Sequence, residues 1–540
     1  MCGSSFADLR AAARFLWSLP AYLRRPLSRE EAAAIVRRRL TRREADFLDL
    51  IDRAVYANPQ NPYCKLLALA GCEPGDLKAL VKRDGVEGAL TVLFRHGVYL
   101  TVDEFKGRKA VRRGSTVLQV NPADLRMPWP AAFLPAQTSG SGGAPITVVY
   151  DMATIRDRAV NACLALDAQG GGGWVKAVWG VSTGSAPVVL RFGAFGPPVA
   201  KWFLQVSPRT PGIHRRYRWV GPALRVAALA GGVGFPRPEL ASINDPSPVA
   251  RWMAATLRGG QIPYLYTFAS SAVRLCQAAR DAGISIAGAR FTITGEPVTA
   301  ARRAVFGAVA ADVAADYGSV DAGGPVSHSC LSPVEPDDVH FFHDLHAVIQ
   351  PGTGPGHALP PRALLLTSLR AASPFVLLNV SLGDQAFLER RRCGCPLEAL
   401  GWDLHFHTIR SFEKLTAGGM TFLDADVVRI LEDELPARFG GGPADYQLVE
   451  EEVGAGVGIV LAVHPGVGPL DKQAVRSAFL DAIGRGSGAE RIMALQWREA
   501  GLPRVERRAP VVSGRGKVLH VWRARATEPE PSMRRGGGHE

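Results

Sequence analysis

The feature that most constrains the fold of this chain is an alternation of short β-prone runs with helical runs from residue 106 onward. Strands and helices that alternate along a chain build sheets layered with helices. The sequence therefore predicts an α/β fold with layered sheets. The β-prone runs are 146–151, 188–192, 288–294 and 363–369, and the helical patterns include 153–168, 271–282 and 299–309.

The character of the chain changes near residue 410, which predicts a domain boundary. We expect a large N-terminal domain at 1–410, whose first 100 residues are mostly helical, with Ser28 as one helix cap. A small α+β domain is expected at 411–525, and a disordered tail at 526–540 because that stretch is rich in Pro, Glu, Arg and Gly. The small domain is predicted to run helix 424–435, strands 446–452 and 456–463, helix 471–484 and strand 517–522.

The charge and the cysteines narrow the class of protein. The 540 residues carry a net charge of +13, spread along the chain mostly as Arg, and we find no aromatic-plus-basic module, so no nucleic-acid partner is expected. No secretory signal and no apolar run of membrane-spanning length is found, so we expect a cytoplasmic protein without a membrane partner. Eight cysteines are too sparse for a disulfide scaffold.

The loop from Thr138 to Pro145 combines hydroxyls and glycines between an apolar lead-in and a β-prone run. Glycines let backbone N–H groups turn toward one point, where they bind an anion, and hydroxyls add donors. This composition indicates a phosphate cradle, although a flexible connection has the same composition. The candidate residues are Thr138, Ser139, Gly140, Ser141, Gly142 and Gly143.

Five further segments follow the loop, and each is weak evidence alone. Their order along the chain is the informative property. They are Gly295-Glu296-Pro297, Tyr317-Gly318-Ser319-Val320-Asp321, Leu382-Gly383-Asp384, Arg410, and the run from Ser513 to Lys517.

In this order the segments resemble the adenylate-forming superfamily, and most of all its phenylacetate–CoA ligase branch and capsule-biosynthesis relatives. The resemblance extends from about Asn61 to about Arg523. Thr138–Pro145 is similar to the TSGSTGKP-like phosphate loop, Gly295-Glu296 to the end of GGE, Tyr317–Asp321 to YGxTE, Gly383-Asp384 to TGD, Arg410 with residues 411–413 to the hinge, and Lys517 after Gly516 to the C-terminal lysine.

The resemblance implies a binding site for ATP. The loop would hold the β- and γ-phosphates, and the segment 295–297 would line the adenine. Tyr317 would stack beside the adenine, and Gly318 and Ser319, which follow it in the same motif, would also contact the nucleotide. Asp384 would accept hydrogen bonds from the ribose hydroxyls, and Arg410 would contact ribose or phosphate oxygens. Asp321 would help to hold Mg²⁺, and Lys517 would reach the α-phosphate and the substrate carboxylate.

Three positions depart from the family pattern. Gly142 stands where a Thr is usual, Ala144 where a Lys is usual, and Asp321 where a Glu is usual. The loop keeps its glycine backbone but loses a hydroxyl and a cation. We therefore expect weaker phosphate binding, with slow adenylation or a changed donor as the consequence.

The resemblance implies ATP-dependent activation of a carboxylic acid as an acyl-adenylate, followed by transfer to coenzyme A. The acid pocket would involve 264–271 and Gly295, whose aromatic residues suit an aryl or arylacetic acid. Two alternatives stay open: transfer to an amine, another nitrogen nucleophile or a carrier-protein thiol in a biosynthetic pathway, and an inactive scaffold of the same fold. We expect a monomer or homodimer.

Three cysteines and one histidine have the composition of a structural zinc site. Cys330, His340, Cys393 and Cys395 offer three sulfurs and one imidazole, a closed tetrahedral set. The resemblance supports this set, because members of the branch carry a Cys…His…Cys-x-Cys pattern at these positions. The alternatives are three unrelated thiols, or a different histidine ligand: His343, His328 or His346.

The run from Gly180 to Gly184 matches the G-x-S-x-G pattern of hydrolases. That pattern requires a strand–turn–helix setting. A β-prone run at 188–192 follows, so we expect no helix after Gly184 and no hydrolase.

Overall fold

The structure, a computed structural model, shows a mixed α/β chain in two compact units. These units are Met1–Ser411 with Gly514–Lys517, and Phe412–Ser513 with Val518–Glu540. The predicted fold class, α/β with a large first part and a small second part, is confirmed. The described residues are 6–128, 132–137, 147–181, 184–209, 215, 217–296, 298–354, 357, 359–412, 416–417, 420–421, 427–453, 456–485, 488–513 and 517–523, so the predicted tail 526–540 lies outside them.

The helices are labelled in chain order. Among those that the structure describes, none combines the length and the apolar composition needed to cross a bilayer. They are α1 Phe6–Leu23, α2 Arg29–Thr41, α3 Arg43–Ile51, α4 Pro62–Leu69, α5 Pro74–Arg95, α6 Val102–Phe105, α7 Met152–Asp167, α8 Ser185–Gly193, α9 Tyr217–Ala230, α10 Ser247–Arg258, α11 Ala269–Asp281, α12 Ala300–Gly307, α13 Val427–Arg429, α14 Leu435–Phe439, α15 Lys472–Ile483 and α16 Gly488–Glu499.

The strands are labelled in the same way. They are β1 Val111–Arg113, β2 Thr116–Leu118, β3 Leu134–Gln137, β4 Thr147–Tyr150, β5 Val175–Gly180, β6 Lys201–Leu204, β7 Pro238–Leu240, β8 Pro263–Phe268, β9 Arg290–Thr294, β10 Asp312–Asp316, β11 Gly318–Ser319, β12 Gly324–Pro325, β13 Ser327–Ser329, β14 Val339–Phe341, β15 His346–Ile349, β16 Ala363–Ser368, β17 Val380–Arg390, β18 Leu404–Ser411, β19 Thr416–Ala417, β20 Met420–Thr421, β21 Tyr446–Val453, β22 Gly456–Val463, β23 Arg504–Arg507 and β24 Val521–Arg523.

Local chemistry starts the N-terminal helices where the sequence predicts. The Ser28 hydroxyl accepts a hydrogen bond from the backbone N–H of Glu31 at 3.1 Å, so α2 begins at Arg29. Gly85 has a φ of 71°, which kinks α5 at that residue. The first hundred residues therefore form helices joined by turns, as predicted.

A parallel sheet of six strands forms the centre of the first unit, in the order β7-β6-β5-β8-β9-β10. The helices α8 to α12 connect successive strands, as parallel pairing requires. The strand order reverses between β5 and β8, and the carboxyl edge at such a reversal is where open α/β sheets bind ligands. An antiparallel sheet, β13-β14-β18-β17-β16-β15, accompanies the parallel one.

A buried ionic network ties the layers of the first unit together. The Arg39 guanidinium on α2 lies 2.8 Å from the carboxylate of Asp157 on α7 and 3.1 Å from that of Asp344, which follows β14. Asp344 also accepts hydrogen bonds from Asn161 at 2.9 Å and from the Trp402 indole at 3.0 Å. The N-terminal helices, the parallel-sheet layer and the antiparallel sheet therefore meet at these side chains.

The second unit is a four-stranded sheet, β23-β22-β21-β24, packed against helices. β21 and β22 are antiparallel, and β23 and β24 pair in parallel with them. Its core is made of aliphatic and aromatic side chains from both layers, including Leu448, Leu461, Val475 and Phe479.

The prediction of a strand at 188–192 is wrong, because these residues belong to α8. Helical winding buries Val189, Leu190 and Phe192 to 1% exposure or less, and tertiary packing thus overrides their β propensity. Pro187 falls in the first helical turn, where its missing N–H costs no hydrogen bond. The run Gly180–Gly184 therefore does lie between a strand and a helix, although residues 182 and 183 lie outside the described part.

The buried Lys176 on β5 generates a prediction for stability against pH. Its ammonium donates hydrogen bonds to the carbonyls of Phe192, at 2.6 Å, and of Phe195. Burial lowers the pKa of Lys176 from its usual 10.5 to about 7. Between about pH 7 and pH 10.5, Lys176 therefore takes up a proton when the protein unfolds. The contribution of Lys176 to the free energy of unfolding thus rises with pH across that window.

We expect Lys176→Met to remove this pH dependence. The measurement is denaturant unfolding of both proteins at several pH values within that window. Lys201→Met, on the neighbouring strand with a side chain 34% exposed, is the control. Parallel curves of stability against pH for the wild type and Lys176→Met would contradict the prediction.

Candidate active site and metal centre

The carboxyl ends of three neighbouring parallel strands bring predicted site residues to one edge of the sheet. β8 ends at Phe268, β9 ends just before Gly295, and β10 ends just before Tyr317. The register pairs Phe268 with Thr294 and Thr294 with Asp316, so the three ends are level. Ligands of parallel sheets bind at this edge.

A hydrogen bond joins Tyr317 to Asp384. The Tyr317 hydroxyl donates to the Asp384 carboxylate at 3.1 Å, and its ring meets Phe406 edge-on with centroids 6.0 Å apart. Burial, together with the Asp384 charge, raises the pKa of Tyr317 well above its usual value. The phenol therefore stays protonated and holds the carboxylate in place. Two segments that are separated by some 65 residues in sequence are thus brought together.

Gly295 lies against Lys517. The ammonium of Lys517 donates to the Gly295 carbonyl at 3.2 Å and stands 5.1 Å from the centre of the Phe268 ring. Gly295 has a φ of 78°, and a Cβ placed there would come within 2.3 Å of the Lys517 nitrogen. Glycine therefore permits both the turn and the close approach of the lysine.

Glu296 is engaged in a buried ion pair. Its carboxylate lies 3.0 Å from the Arg302 guanidinium and accepts hydrogen bonds from the Ser270 hydroxyl at 2.8 Å and the Ser270 backbone at 3.2 Å. Ser270 stands in the first turn of α11, where a carboxylate is favoured by the helix dipole. Glu296 therefore fastens the turn after β9 to α11. Pro297 lies outside the described residues.

Asp321 is buried in the turn after Tyr317. The Ser319 hydroxyl accepts from the Asp321 backbone at 3.1 Å and donates to its carboxylate at 3.3 Å, and Asp321 is 5% exposed. A Cβ on Gly318 would lie 2.4 Å from the carbonyl of Gly324 on the paired strand, so the hairpin requires glycine there. Among the described residues, Asp321 joins no close group of three or more metal-ligating side chains.

A β-bulge sets the direction of Arg410 relative to Asp384. Three residue steps on β18 match two on β17, and Thr408 has a φ of 53°. Side chains alternate between faces, so Arg410 and Asp384, one register step apart, leave the sheet on opposite faces. The pairs that define this register are Asp384–Ser411, Gln385–Arg410 and Phe387–His407.

Asp337, which the sequence reasoning missed, holds the bulge. Its carboxylate accepts hydrogen bonds from the backbone of Thr408 and of Ile409, both at 2.8 Å, and lies 3.2 Å from the Arg410 guanidinium. No local sequence signal marks this residue, because its partners are some 70 positions downstream. Arg410 is thus engaged by Asp337, and the register places it on the face of the sheet opposite to Asp384.

The predicted phosphate loop, from Thr138 to Pro145, lies outside the described residues. Its flanking strands are described: β3 and β4 pair antiparallel, with Gln137 opposite Thr147. The loop departures at Gly142 and Ala144 therefore remain sequence observations.

Cys330, His340, Cys393 and Cys395 come together at the border of the antiparallel sheet, and their ligand atoms all lie within 4.8 Å of one another. The His340 Nε2 atom is 3.1 Å from the Cys395 sulfur and 3.6 Å from the Cys393 sulfur. Its Nδ1 atom lies 2.6 Å from the Trp402 carbonyl, so Nδ1 carries the proton and Nε2 is left with a lone pair facing the sulfurs.

The donor set fits zinc. Three sulfurs and one imidazole are the usual ligands of a closed structural site. Burial lowers the pKa of His340 to about 4, which keeps the ring neutral, and burial raises the pKa of Cys330 to about 12. Burial favours the protonated form of the Cys330 thiol. A bound dication would favour the thiolate instead, because its charge stabilises the negative sulfur directly.

The alternative histidine ligands lie elsewhere. His328 contacts the Asp316 carboxylate at 2.6 Å through its Nδ1 atom. In the part of the chain that the structure describes, neither His343 nor His346 belongs to a close group of metal-ligating side chains. Beside the cluster, Asp338 contacts His405 at 2.9 Å and pairs with Arg391. Asp338 follows Asp337 directly, so one turn supports both the cluster and the bulge.

The comparisons with known proteins come from solved structures. No protein-family model and no curated protein sequence matches the chain. A 2-hydroxyisobutyryl-CoA ligase in complex with 2-HIB-AMP and CoA is 14% identical, with 89% of each chain covered and a TM-score of 0.45. An anthranilate CoA ligase in complex with anthranoyl-AMP is 12% identical, with 71% of this chain and 65% of that chain covered and a TM-score of 0.40.

A third match is O-succinylbenzoate coenzyme A synthetase from Bacillus subtilis, in complex with ATP and magnesium. It is 12% identical, with 73% of this chain and 70% of that chain covered and a TM-score of 0.39. All three proteins are coenzyme A ligases or synthetases, the broad class that the sequence motifs resemble. At these TM-scores the likeness carries no conclusion about this chain.

We expect purified protein to contain about one zinc ion per chain by elemental analysis. Cys393→Ser should lose the ion and destabilise the protein by about 4 kcal/mol or more, as loss of a structural metal does. Cys64→Ser, a half-buried thiol outside the cluster, is the matched control and should keep the ion. A wild-type protein without stoichiometric zinc would contradict the assignment.

We expect Asp337→Asn to loosen the bulge, because an amide replaces one of the two acceptor oxygens with a donor. The free energy of unfolding should fall by about 2–4 kcal/mol. Hydrogen–deuterium exchange should accelerate at the amides of Thr408 and Ile409. The exposed Asp281→Asn is the control, and unchanged exchange at these two amides would count against a role for Asp337.

Proposed function

We propose that this protein is an AMP-forming ligase that activates a carboxylic acid with ATP and transfers the acyl group to coenzyme A. The observation that carries the proposal is the convergence of Gly295, Tyr317, Asp384 and Lys517 at one edge of the parallel sheet. These residues come from four separate motifs of the resemblance. A random set of turns and surface charges would have no reason to meet there.

The nucleoside half of ATP would bind at the Tyr317–Asp384 pair. An aromatic ring offers a face on which adenine stacks, and an ionised carboxylate accepts hydrogen bonds from the ribose hydroxyls. The phenol of Tyr317 donates to the same carboxylate and orients it. The backbone after β9, from Gly295 to Pro297, would lie along the adenine, while the Glu296 side chain fastens that backbone to α11.

The phosphate half would bind the loop Thr138–Pro145, with Asp321 contributing an oxygen to Mg²⁺. Lys517 would supply the positive charge at the α-phosphate, where negative charge develops during attack. A substrate carboxylate oxygen attacks the α-phosphorus, and the bond to pyrophosphate breaks. A thiolate then attacks the acyl carbon, and AMP leaves. Positioning and charge stabilisation supply the catalysis of both steps.

The acid would bind beside β8, and its aryl type is part of the proposal. Tyr264 and Tyr266 lie on one face of β8, with Phe192 of α8 5.6 and 5.3 Å from their respective ring centres. The Arg191 guanidinium lies 4.7 Å from the Tyr266 ring. These side chains are 1–6% exposed and pack on one another in the core, so the proposed aryl preference rests on the resemblance and on the aromatic composition of 264–271.

Two further elements complete the proposal. The Cys330–His340–Cys393–Cys395 cluster would hold a structural zinc that joins the β13–β14 hairpin to the segment after β17. Between the two half-reactions the second unit would rotate about the segment near Arg410, as the resemblance implies.

Transfer to an amine, another nitrogen nucleophile or a carrier-protein thiol is the second candidate, and the altered loop at Gly142 and Ala144 is the observation that favours it.

The deciding experiment measures pyrophosphate release with ATP, Mg²⁺ and a panel of aryl, arylacetic and aliphatic acids. We expect at least one acid to stimulate release, and addition of coenzyme A to yield an acyl-CoA by mass spectrometry. Products formed only with amines would move the acceptor to the second candidate. A protein that binds no ATP and releases no pyrophosphate with any acid would contradict the proposal.

Lys517→Ala should lower the adenylation rate about 100- to 1,000-fold, as loss of one charge-stabilising group does. The KM for ATP should change much less, because the lysine acts mainly in the transition state. Lys472→Ala, an exposed lysine at the start of α15, is the matched control. An adenylation rate in Lys517→Ala equal to that of the wild type would remove this residue from the mechanism.

A further inference from the structure

Two helices of the first unit expose tryptophans. Trp17 on α1 is 89% exposed and Trp219 on α9 is 72% exposed, whereas soluble proteins mostly cover such side chains. The two helices pack on each other: Arg24, just after α1, donates to the carbonyl of Gly231, just after α9, and a Cβ on Gly231 would lie 2.3 Å from Pro20 of α1. The exposed tryptophans therefore belong to one pair of helices, which we call the α1/α9 pair.

Helix α1 has an apolar inner face and an outer face of arginines with one tryptophan. Its inner face buries Ala11, Phe15 and Leu19, which are spaced one helical turn apart. Its outer face carries arginines and an aromatic ring instead of the usual mixture of acidic and basic residues. The exposed residues are Arg10, Ala13, Arg14, Trp17 and Ala21, with Arg24 directly after the helix.

The outer face of α9 is largely apolar. Tyr217, Gly221, Leu224 and Ala228 are buried, so the opposite side of the helix points outward. Val226 is 67% exposed and Leu229 is 49% exposed. The neighbouring edge strand β7 adds Leu240, which is 61% exposed. The full set of exposed residues on α9 is Arg218, Trp219, Pro222, Val226, Leu229 and Ala230.

Acidic residues are few in the segments that form this surface: they are Asp8 near the start of α1 and Glu239 on β7. The sequence has no Asp or Glu between Asp8 and Glu30, and none between Asp167 and Glu239. Both intervals contain several arginines, so basic residues outnumber acidic ones on α1 and α9, while the Glu239 carboxylate on β7 lies 2.7 Å from the Lys201 ammonium. A surface of this kind complements a polyanion.

We propose that the α1/α9 pair docks on an anionic lipid bilayer, with its tryptophans and aliphatic side chains at the interface and its arginines among the headgroups. Arginine-rich helices with exposed Trp and Leu bind such interfaces in the plane of the membrane. Tryptophan is favoured at headgroup level, and each basic residue near an anionic surface adds attraction. The sequence predicts no membrane partner because no segment is long and apolar enough to span a bilayer. Adsorption to a membrane surface requires no spanning segment, only an exposed apolar and basic helix face.

The apolar content of this surface favours lipid over nucleic acid. Nucleic acids are held by basic grooves with aromatic platforms, and exposed aliphatic side chains add nothing to a phosphate backbone. Val226, Leu229 and Leu240 lose water contact only in an apolar or interfacial environment. Lipid docking is also independent of the proposed ligase activity, since no residue of the α1/α9 pair belongs to the candidate active site.

The test is co-sedimentation of the full chain with vesicles of phosphatidylcholine alone and of phosphatidylcholine mixed with phosphatidylglycerol. We expect binding to the mixed vesicles, much weaker binding to the neutral ones, and a decline with added salt as charges are screened. Arg10→Gln with Arg14→Gln should weaken binding about thirtyfold, since each basic residue contributes about 1 kcal/mol. Trp17→Ser with Trp219→Ser should weaken binding by about tenfold or more.

Two control variants keep the test specific. Arg95→Gln with Arg258→Gln removes two exposed charges elsewhere, and Leu69→Ser with Leu495→Ser removes two exposed apolar side chains elsewhere. Both should bind the mixed vesicles as the wild type does, and far-ultraviolet circular dichroism should show all variants folded. Three outcomes would overturn the proposal. The wild type could bind neither kind of vesicle, or it could bind single-stranded DNA more tightly than the mixed vesicles. The control substitutions could also weaken vesicle binding as much as the substitutions on the α1/α9 pair do.

Discussion

The buried guanidinium of Arg39 is the interaction on which the layered arrangement of the first unit depends. It engages Asp157 on α7 and Asp344 after β14, while Asp344 also binds Trp402 in the connection between β17 and β18. Buried charges are stable only when each is paired and hydrogen-bonded. Removal of Arg39 would therefore take from Asp344 its contact at 3.1 Å, whereas Asp157 would keep Arg370 at 2.7 Å. The helical N-terminus is therefore a built-in part of the α/β layers, because it supplies a cation to both Asp157 and Asp344.

A second constraint acts closer to the chemistry. The turn at Asp337 and Asp338 lies between two β-strands, and its carboxylates reach in two directions. One carboxylate holds the bulge that turns Arg410 away from Asp384, and the other holds His405 beside the cysteine–histidine cluster. One turn thus contacts both the side of the cysteine–histidine cluster and the bulge beside Arg410.

Much of the fold was predictable from local patterns. The strand at 456–463 has the predicted limits, and the helix after Ser28 begins where its cap requires. The segment 188–192 misled because Val and Phe satisfy both a strand and a buried helix, and only burial against β5 decides between them. Glu296 and Asp337 show the other limit: their type was visible, but their partners, Arg302 with Ser270 and the backbone at 408–409, depend on chain folding.

The sequence by itself determined the α/β class, the order of the motifs and the residue types that a metal and a nucleotide would require, because periodicity, turn chemistry and ligand chemistry are local properties. Only the tertiary structure decided which residues meet. It joined Tyr317 to Asp384, set Arg410 on the opposite face through one extra residue in β18, and gathered four metal-ligating side chains from three segments. The reason is physical: strand register and layer packing are fixed by long-range burial and hydrogen bonding, which no short stretch of sequence contains.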